Sequence, residues 1–419
     1  MQKTVIKNGR VIDPANKFDS KADIYIADGR IIAIGAKPQS FTVEKEIIAD
    51  SMVVCPGLID LYCHLNNLDN TGAINLSSEL TAAASAGITH LCSNPNTQPI
   101  IETAIISQYL QQQARNFGKT QVLPLGALTR QLQGQELSDI ATLQQAGCIA
   151  MSNAEKPIDN NLLLRRCFEY AASHNITVFL YPQDTSLAGN GVMHEGKVAM
   201  HLGLTGIPTT AETVALARDL LLIEQTGVKA HFIKLSSGRA VEMLASAQAK
   251  GLAVTASVAL QNLFLTEMDV DHSNTNMHLY PPLRSLQDQQ ALLQGIKHGV
   301  ITAICSDHHP LPKSAKEKPF ANSEAGASSI DAFLPLSLRL VELLDMSLSQ
   351  VLALLTINPA TILGLDIGRI TVGATADLCI LDPELYWTLN QENLQSHGKN
   401  SPYLGWDLRG KVQYTLIYR

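Results

Sequence analysis

Short β-branched runs separated by turn dipeptides open the chain. Asn8-Gly9 and Asp28-Gly29 each stand between two such runs, which is a strong short-range signal of a β-hairpin because these residues tolerate the backbone of a tight turn. The same pattern returns near the other end, from Gly368 to Pro383 and again after Arg409. The two ends therefore predict one small sheet domain, formed by residues 1–54 together with residues 366–419.

The interior of the chain has a different pattern, in which short apolar runs alternate with helix-like stretches. Eight such runs begin at Leu58, Ile88, Thr120, Gly147, Ile176, Val228, Gly251 and Val300. The stretch before Gly251 has apolar residues at helical spacing and ends at that glycine, as helices commonly do. Eight strand–helix repeats predict a closed parallel (β/α)8 barrel over residues 55–365. A doubly wound open sheet is the alternative, which we favour less because no glycine-rich dinucleotide turn follows the first strand.

Composition narrows the class of protein. The chain has 419 residues, of which 46% are hydrophobic, and a net charge of −7; this excludes a disordered or collagen-like protein. No block of Lys or Arg is long enough to follow a phosphate backbone, so we expect no nucleic-acid partner. The first residues lack a long apolar segment, and the seven cysteines form no C-x-x-C pair. We therefore expect no signal peptide or membrane span, and reduced thiols in the cytoplasm.

Active sites of such barrels lie at the carboxyl ends of the strands, so the polar residues there are the candidates. From position alone, each of them is as suited to a structural role, as a hydrogen-bonded framework residue, as to lining a pocket. They are Tyr62, Cys63, His64, Asn94, Asn96, Ser152, Asn153, Tyr181, Gln183, Asp184, His231, Lys234, Asp307, His308 and His309.

Several sequence motifs occur in the same order, and at suitable distances, as in a known family of enzymes. They are VVCPGLIDLYCHL, NPNTQP, VMHEGKVAMHLGLTGIPTTAE, YPPLRS and SDHHP. With them the chain resembles dihydroorotase of the cyclic amidohydrolase superfamily along essentially its whole length. The resemblance implies a metal-dependent hydrolase barrel with a small β-sandwich from both termini. It also implies opening or closure of the ring amide of dihydroorotate, in pyrimidine biosynthesis, with zinc held at the strand ends.

The resemblance implies six metal-ligand positions, and only His64 and Asp307 retain a ligand type. The other four positions carry Tyr62, Asn153, Tyr181 and Lys234. Among the substrate contacts that the resemblance implies, only Asn96 still matches, and Asn66, Tyr280 and Leu311 replace an arginine, an asparagine and a histidine. An asparagine cannot reproduce the bidentate grip of a guanidinium on a carboxylate, so we expect substrate binding to suffer as well.

Four lost ligands, one of them replaced by lysine, predict a barrel mouth without metal, in which Lys234 and Asp307 form a substitute ion pair. Zinc is the expected cofactor only if the chain is active, with Asp307 as general base and His64 among the remaining ligands. A metal site rebuilt from His231, His308 and His309 would require a bulge, because adjacent residues of a strand point in opposite directions. Cys63 is expected to be a small buried residue rather than a nucleophile.

Two functional hypotheses from different classes follow, with a third beside them. The leading one is a noncatalytic dihydroorotase homologue that acts as a structural partner of the aspartate transcarbamoylase catalytic subunit, because the runs at residues 126–153 and 211–232 resemble inactive pseudo-dihydroorotases with that role. The resemblance also implies a homo-oligomer. The alternative is an active or weak cyclic amidohydrolase with a reduced metal site. A barrel that binds a pyrimidine intermediate without converting it is the third possibility.

Overall fold

A computed structural model of the chain describes residues 3–39, 41–65, 74–271 and 274–418. Short strands with tight turns fill its first part, as the Asn-Gly and Asp-Gly dipeptides predict. Asn8 and Asp28 have φ of 64° and 52°, in the left-handed region that such turns need. Among the described residues before Leu58 the strands are β1 (Thr4–Lys7), β2 (Arg10–Asp13), β3 (Phe18–Lys21), β4 (Ile24–Ala27), β5 (Arg30–Ile34), β6 (Lys45–Ile48) and β7 (Val53–Pro56).

The interior forms the predicted barrel. Its described strands, including a small two-stranded ribbon, are β8 (Leu58–Cys63), β9 (Ile88–Ser93), β10 (Gln121–Ala127), β11 (Ala150–Ser152), β12 (Thr177–Leu180), β13 (Met193–His194), β14 (Gly206–Ile207), β15 (Ala230–Phe232), β16 (Val254–Ala259) and β17 (Ala303–Cys305). All except β13 and β14 pair in parallel in the order β17-β16-β15-β12-β11-β10-β9-β8. The His64 amide donates to the His308 carbonyl at 2.8 Å, just beyond β8 and β17. This contact joins the first and last strands, so the predicted barrel is confirmed and the open sheet is not formed.

Helices cover the outside of the barrel, which explains why its strands are apolar on both faces. Several of them end at a glycine in the left-handed region, for example at Gly118 and Gly227. In the described residues they are α1 (Leu76–Ser85), α2 (Ala104–Phe117), α3 (Ile140–Gln145), α4 (Asn161–Ser173), α5 (Thr185–Ala188), α6 (Lys197–Leu202), α7 (Thr209–Thr226), α8 (Gly238–Ala249), α9 (Leu260–Phe264), α10 (Leu286–Lys297), α11 (Lys313–Lys316), α12 (Phe333–Leu338), α13 (Leu340–Leu343), α14 (Leu348–Ala353) and α15 (Ile357–Leu363). None of the helices that the structure describes has the length and apolar character needed to cross a bilayer.

The ends of the chain meet in two sheets that share a core. One sheet has the order β5-β4-β1-β6. The other combines β18 (Leu378–Thr388) and β19 (Asp407–Leu416) with N-terminal strands, in the order β19-β18-β7-β2-β3. Ile6 and Ile24 of the first sheet pack in one apolar cluster with Val54 and Ile380 of the second. This is the composite domain expected from the two ends, and the boundaries at residues 54 and 366 stay a prediction.

Candidate functional site: a lysine-centred cluster at the barrel mouth

Four ionisable side chains meet at the carboxyl ends of the barrel strands. Lys234 Nζ lies 2.8 Å from Glu155 Oε1 and 2.9 Å from Asp307 Oδ1. His64 Nε2 lies 3.1 Å from the same Glu155 oxygen and 3.6 Å from Asp307 Oδ1. The contact between Lys234 and Asp307 that the sequence predicted is therefore present, and Glu155 completes it. We call these four residues the mouth cluster.

Local backbone geometry brings the mouth cluster together. Tyr62 and His64 alternate with Cys63, so the first two face the barrel interior while Cys63 packs in the layer outside it. Lys234 and Asp307 lie two residues beyond the ends of β15 and β17, with φ of 55° and 47°. Residues other than glycine seldom adopt this left-handed conformation, and they do so mainly where the surrounding structure enforces it, often at functional sites.

Charge interactions outweigh burial within the mouth cluster. Lys234 is 2% exposed; burial alone would lower its pKa, but the carboxylates of Asp307 and Glu155 raise that pKa above its ordinary value. The pKa of Glu155 is held well below its usual range, because attraction to Lys234 and His64 overcomes the opposing effect of burial. Lys234 and Glu155 are therefore charged at neutral pH.

His64 keeps a proton on the nitrogen that faces the carboxylates. Burial would lower its pKa, but Glu155 and Asp307 raise that pKa to about 9. Asn94 Nδ2 lies 3.2 Å from His64 Nδ1, and the other amide atom of Asn94 accepts from the Asn96 amide at 2.6 Å. This arrangement fixes Nδ1 as an acceptor in the neutral ring, which leaves the proton on Nε2. In the neutral and in the charged ring alike, Nε2–H points at the acidic oxygens.

The donors of the mouth cluster only partly match the needs of the zinc that the resemblance implies. Ligand atoms of His64, Glu155 and Asp307 all lie within 4.8 Å of one another, and three protein ligands plus water form a usual catalytic zinc site. However, the Lys234 ammonium contacts the same two oxygens that would bind the ion. His64 Nε2 is protonated, so it has no lone pair to offer a metal. As arranged, the mouth cluster does not fit a divalent cation, because an ammonium already holds the place between the carboxylates.

Aromatic rings and backbone atoms close around the ammonium. Lys234 Nζ lies 5.0 Å from the centre of the Tyr62 ring and 5.3 Å from that of Tyr181, within the range of cation–π attraction. The Tyr280 carbonyl accepts from Nζ at 3.0 Å, and the His309 ring stacks on His64 at 4.0 Å. The gap beside Lys234 and Tyr181 has a volume of about 10 Å³. That is space for roughly one water molecule.

The remaining predicted positions are divided between the site and the framework. Asn153 is buried and bonded to Thr129 Oγ1 at 2.6 Å and to the Lys156 carbonyl at 2.7 Å, so it does not reach the mouth cluster. Asn96 is exposed, and within its motif it is Asn94 that contacts Tyr62 and His64. Asn66 lies outside the described residues. Tyr280, another of the substrate positions that the resemblance implies, lies at the mouth cluster, where its backbone carbonyl accepts a hydrogen bond from Lys234.

Glu155 is the residue that sequence reasoning missed. It follows Asn153 by two positions, across Ala154, whose φ is 54°. This left-handed turn directs the chain so that the acid at the third position, and not the side chain at the first, faces His64 and Lys234. The only signal in the sequence is an acidic residue close to a strand end, on the same edge of the barrel as His64 and Asp307.

The metal site rebuilt from three further histidines is not formed. His231 lies on β15, and its two ring nitrogens contact Thr255 Oγ1 at 2.8 Å and Ser257 Oγ at 3.0 Å. His308 Nε2 contacts Glu79 Oε2 at 2.9 Å, outside the barrel. The adjacent His308 and His309 thus have different partners, Glu79 and His64, as expected. His309 is the member of this group that approaches the mouth cluster, through its stacking on His64.

Glu79 and His308 belong to a second buried group, which we call the outer clamp. Ser396 Oγ donates to Glu79 Oε2 at 2.7 Å, and the His397 amide donates to Glu79 Oε1 at 3.2 Å. Backbone N–H of Ser329 reaches the other ring nitrogen of His308 at 3.1 Å. The outer clamp thus joins α1, the end of β17 and a segment that precedes β19.

Known proteins resemble the chain along its whole length. An L-hydantoinase (dihydropyrimidinase) from Arthrobacter aurescens has a TM-score of 0.87 and 23% identity, over 100% of this chain and 95% of that one. This likeness defines the class of fold, a (β/α)8 barrel shared with that hydantoinase. A family model described as Dihydro-orotase-like matches residues 51–240.

Relatives at higher identity place the chain within this class. A Dihydroorotase-like protein of Pseudomonas aeruginosa is 44% identical over 98% of this chain and 97% of that protein. A dihydroorotase of a Geobacter species is 37% identical over 99% and 97%. The chain belongs to the dihydroorotase-like family of the amidohydrolase superfamily, as the motifs predicted.

Proposed function

We propose that this chain is a noncatalytic member of its family, in which a lysine holds the place of the catalytic cation. The observation that carries the proposal is the position of the Lys234 ammonium, 2.8 Å and 2.9 Å from the acidic oxygens of Glu155 and Asp307. An ammonium satisfies both carboxylates but cannot act as a Lewis acid or lower the pKa of a bound water as zinc does.

The test is an activity and metal measurement on the full chain. Hydrolysis of dihydroorotate is measured with and without added zinc, and the metal content of the purified protein is determined by elemental analysis. We expect no turnover and no stoichiometric zinc. Zinc-dependent turnover that disappears in Asp307→Ala would overturn the proposal, because Asp307 is the natural general base if the site is active.

The proposal extends to a structural role beside aspartate transcarbamoylase, in the reducing cytoplasm. It is supported by the motifs that resemble pseudo-dihydroorotases and by a framework that is retained while the mouth is altered. The seven cysteines are all free and buried, in keeping with a reducing compartment. The partner is inferred from the resemblance of these motifs.

The partner role is tested by producing the chain together with the transcarbamoylase catalytic subunit of the same organism. We expect one large species in size-exclusion chromatography with light scattering, and a transcarbamoylase that is less stable or less active when made alone. Two separate peaks, with a transcarbamoylase that is fully active alone, would contradict the role.

A second candidate function is a weak cyclic amidohydrolase with a single metal. The proximity of the donors in His64, Glu155 and Asp307 favours it. It requires Lys234 to leave the carboxylates and His64 to give up the proton on Nε2. Metal titration of the wild-type chain separates the two functions, since binding at low micromolar zinc would support this one.

A further inference from the structure

The connection between β18 and β19 does not stay with the composite domain. Residues 389–406, which we call the strap, reach from that domain to the barrel mouth. Ser396, Asn400, Ser401 and Tyr403 of the strap are each 3% exposed or less. Connections usually lie on the surface, because their backbone polar groups need partners. A connection buried to this extent has to be held by specific hydrogen bonds, and the strap forms them at several points.

The first half of the strap is fixed beside the residues that follow Asp307. The outer clamp binds it through a hydroxyl and an amide, and the Gln395 amide donates to Asp331 Oδ1 at 2.8 Å. Gly398 then passes so close to the segment after β17 that a Cβ at this position would collide with Pro310. Only glycine allows two backbones to approach in this way.

Asn400 binds the backbone on both sides of this segment. Its Oδ1 accepts from the Leu311 amide at 2.9 Å, and its Nδ2 donates to the His309 carbonyl at 2.9 Å and to the Gly326 carbonyl at 3.0 Å. Both hydrogens of the side-chain amide are used, so the three bonds fix its orientation. Because Asn400 is 3% exposed, water has little access to replace these bonds.

The bonds of Asn400 fix the position of the His309 ring. A Cβ on Gly326 would lie 2.6 Å from His309 Nδ1, so the ring packs against the Gly326 backbone. On another side the ring stacks on His64 of the mouth cluster, with ring centres 4.0 Å apart and planes 7° apart. The backbone at positions 309 and 326, which Asn400 holds together, therefore sets where this ring lies over His64.

We propose that the strap sets the shape of the barrel mouth, and that Asn400 is its positioning residue, acting through the His309 ring on His64. The composite domain and the barrel mouth then form one cooperative unit, although their strands belong to different sheets. This inference goes beyond the proposed function and does not depend on it, because the same contacts would position His64 in a catalytic or in a noncatalytic mouth.

The first test compares Asn400→Ala and Asn400→Asp with the wild type by NMR of the His64 ring at neutral pH. Asn400→Asp keeps the shape of the side chain and an acceptor for the Leu311 amide, but it cannot donate to the two carbonyls. A stacked ring shields the protons above its face, so we expect the His64 ring protons to move downfield in both variants.

Asn358→Ala is the matched control for these variants. Asn358 Nδ2 also binds a backbone carbonyl, that of Thr302 at 2.9 Å, but at the opposite end of β17 from the mouth. We expect this control to lose stability without moving the His64 signals. His64 signals that stay in place in both Asn400 variants, or that move equally in Asn358→Ala, would overturn the inference.

A double variant tests the route through His309. His309→Ala should move the His64 signals in the same direction as Asn400→Ala does. Adding Asn400→Ala to His309→Ala should then cause little further change, because the contact through which Asn400 acts is already lost. Additive changes would contradict the inference, since they would mean that Asn400 affects His64 independently of His309.

Hydrogen exchange of the wild type keeps the inference testable even if the variants do not fold. The Leu311 and Ser328 amides donate to the side chain and the carbonyl of Asn400, and the His64 amide donates to the His308 carbonyl. If the strap and the mouth open together, these three amides exchange in one step, and in folded Asn400 variants they exchange roughly fivefold to tenfold faster. Exchange of Leu311 and Ser328 well before His64 in the wild type would show that the strap opens without the mouth, against the inference.

Discussion

Two consecutive residues, Asp307 and His308, belong to two different buried groups. The mouth cluster is centred on an ammonium, and the outer clamp is centred on a carboxylate. Asp307 faces the barrel interior and meets Lys234, Glu155 and His64, whereas His308 faces outward and meets Glu79. The outer clamp uses ordinary hydrogen bonds from hydroxyl and amide groups that come from three separate segments. The mouth cluster holds two residues in the left-handed region and has an ammonium at its centre.

The difference distinguishes a structural joint from a set of donors arranged around a cation. In the outer clamp the partners of Glu79 fasten α1 to the end of β17 and to the segment at Ser396 and His397, which is a complete structural role. In the mouth cluster an acidic pair and a histidine remain in a geometry that suits a cation, and the cation is supplied by the chain itself. A lysine at this point satisfies both carboxylates and so preserves the shape of the barrel mouth.

The largest expected effect is that of Lys234→Ala in the mouth cluster. Removing the ammonium leaves two carboxylates uncompensated except by His64, which we expect to cost about 3–5 kcal/mol in the free energy of unfolding. Zinc should then restore part of the loss, since the three donors within 4.8 Å become free to bind it. Thermal unfolding of the variant with chelator and with micromolar zinc measures both effects.

Lys316→Ala is the matched control for that variant. Lys316 is also buried, and its ammonium is bound to the backbone carbonyls of Thr275 at 3.0 Å and of His278 at 3.3 Å. Its loss should destabilise the chain without creating any response to zinc. An equal zinc response in the two variants, or none in Lys234→Ala, would argue against a latent cation site at the mouth.

The next effect in size concerns the outer clamp. Glu79→Ala removes the acceptor for His308, for two serine hydroxyls and for the His397 amide, and we expect a loss of about 3 kcal/mol. Neither zinc nor chelator should change this loss, because no cation can replace an acceptor. Urea unfolding under both conditions gives the answer, and a zinc-dependent midpoint would erase the distinction between the two groups.

Glu155→Gln should have a smaller effect. Its side chain is 21% exposed, so solvent screens part of the lost attraction, and we expect about 1–2 kcal/mol. The pKa of His64 should fall from its value of about 9 in the wild type, since Glu155 is the main contributor that raises it. NMR titration of the His64 ring measures that change, and an unchanged His64 pKa would show that Glu155 does not face the ring in solution.

Much of the framework could be predicted because its signals are local. All eight barrel strands form at or within three residues of the apolar runs that begin at Leu58 through Val300. The ion pair between Lys234 and Asp307 followed from strand ends meeting on one face. Glu155 could not be placed, since its orientation depends on the φ of Ala154. Ser396 could not be placed either, because more than 300 residues separate it from Glu79 and no periodicity reports such a contact.

The smallest expected effect tests the environment of the mouth cluster. Tyr62→Phe removes the hydroxyl that accepts from Asn94 Nδ2 at 2.8 Å but keeps the ring beside the Lys234 ammonium. We expect a loss of about 1 kcal/mol, the usual contribution of one hydrogen bond. Tyr62→Leu, which also removes the ring, should lose measurably more by chemical unfolding. Equal losses would mean that the ring does not contribute to holding the ammonium.

The pairing of β7 with β18 has a consequence for biosynthesis. Cys55 lies directly opposite Cys379 in that antiparallel pair, so the ribosome adds roughly 300 residues before the second neighbour of β7 exists. At typical elongation rates of about 5–20 residues per second, the first strands wait tens of seconds with an unpaired edge. During that interval we expect this edge to be open to pairing with other chains unless early barrel segments cover it.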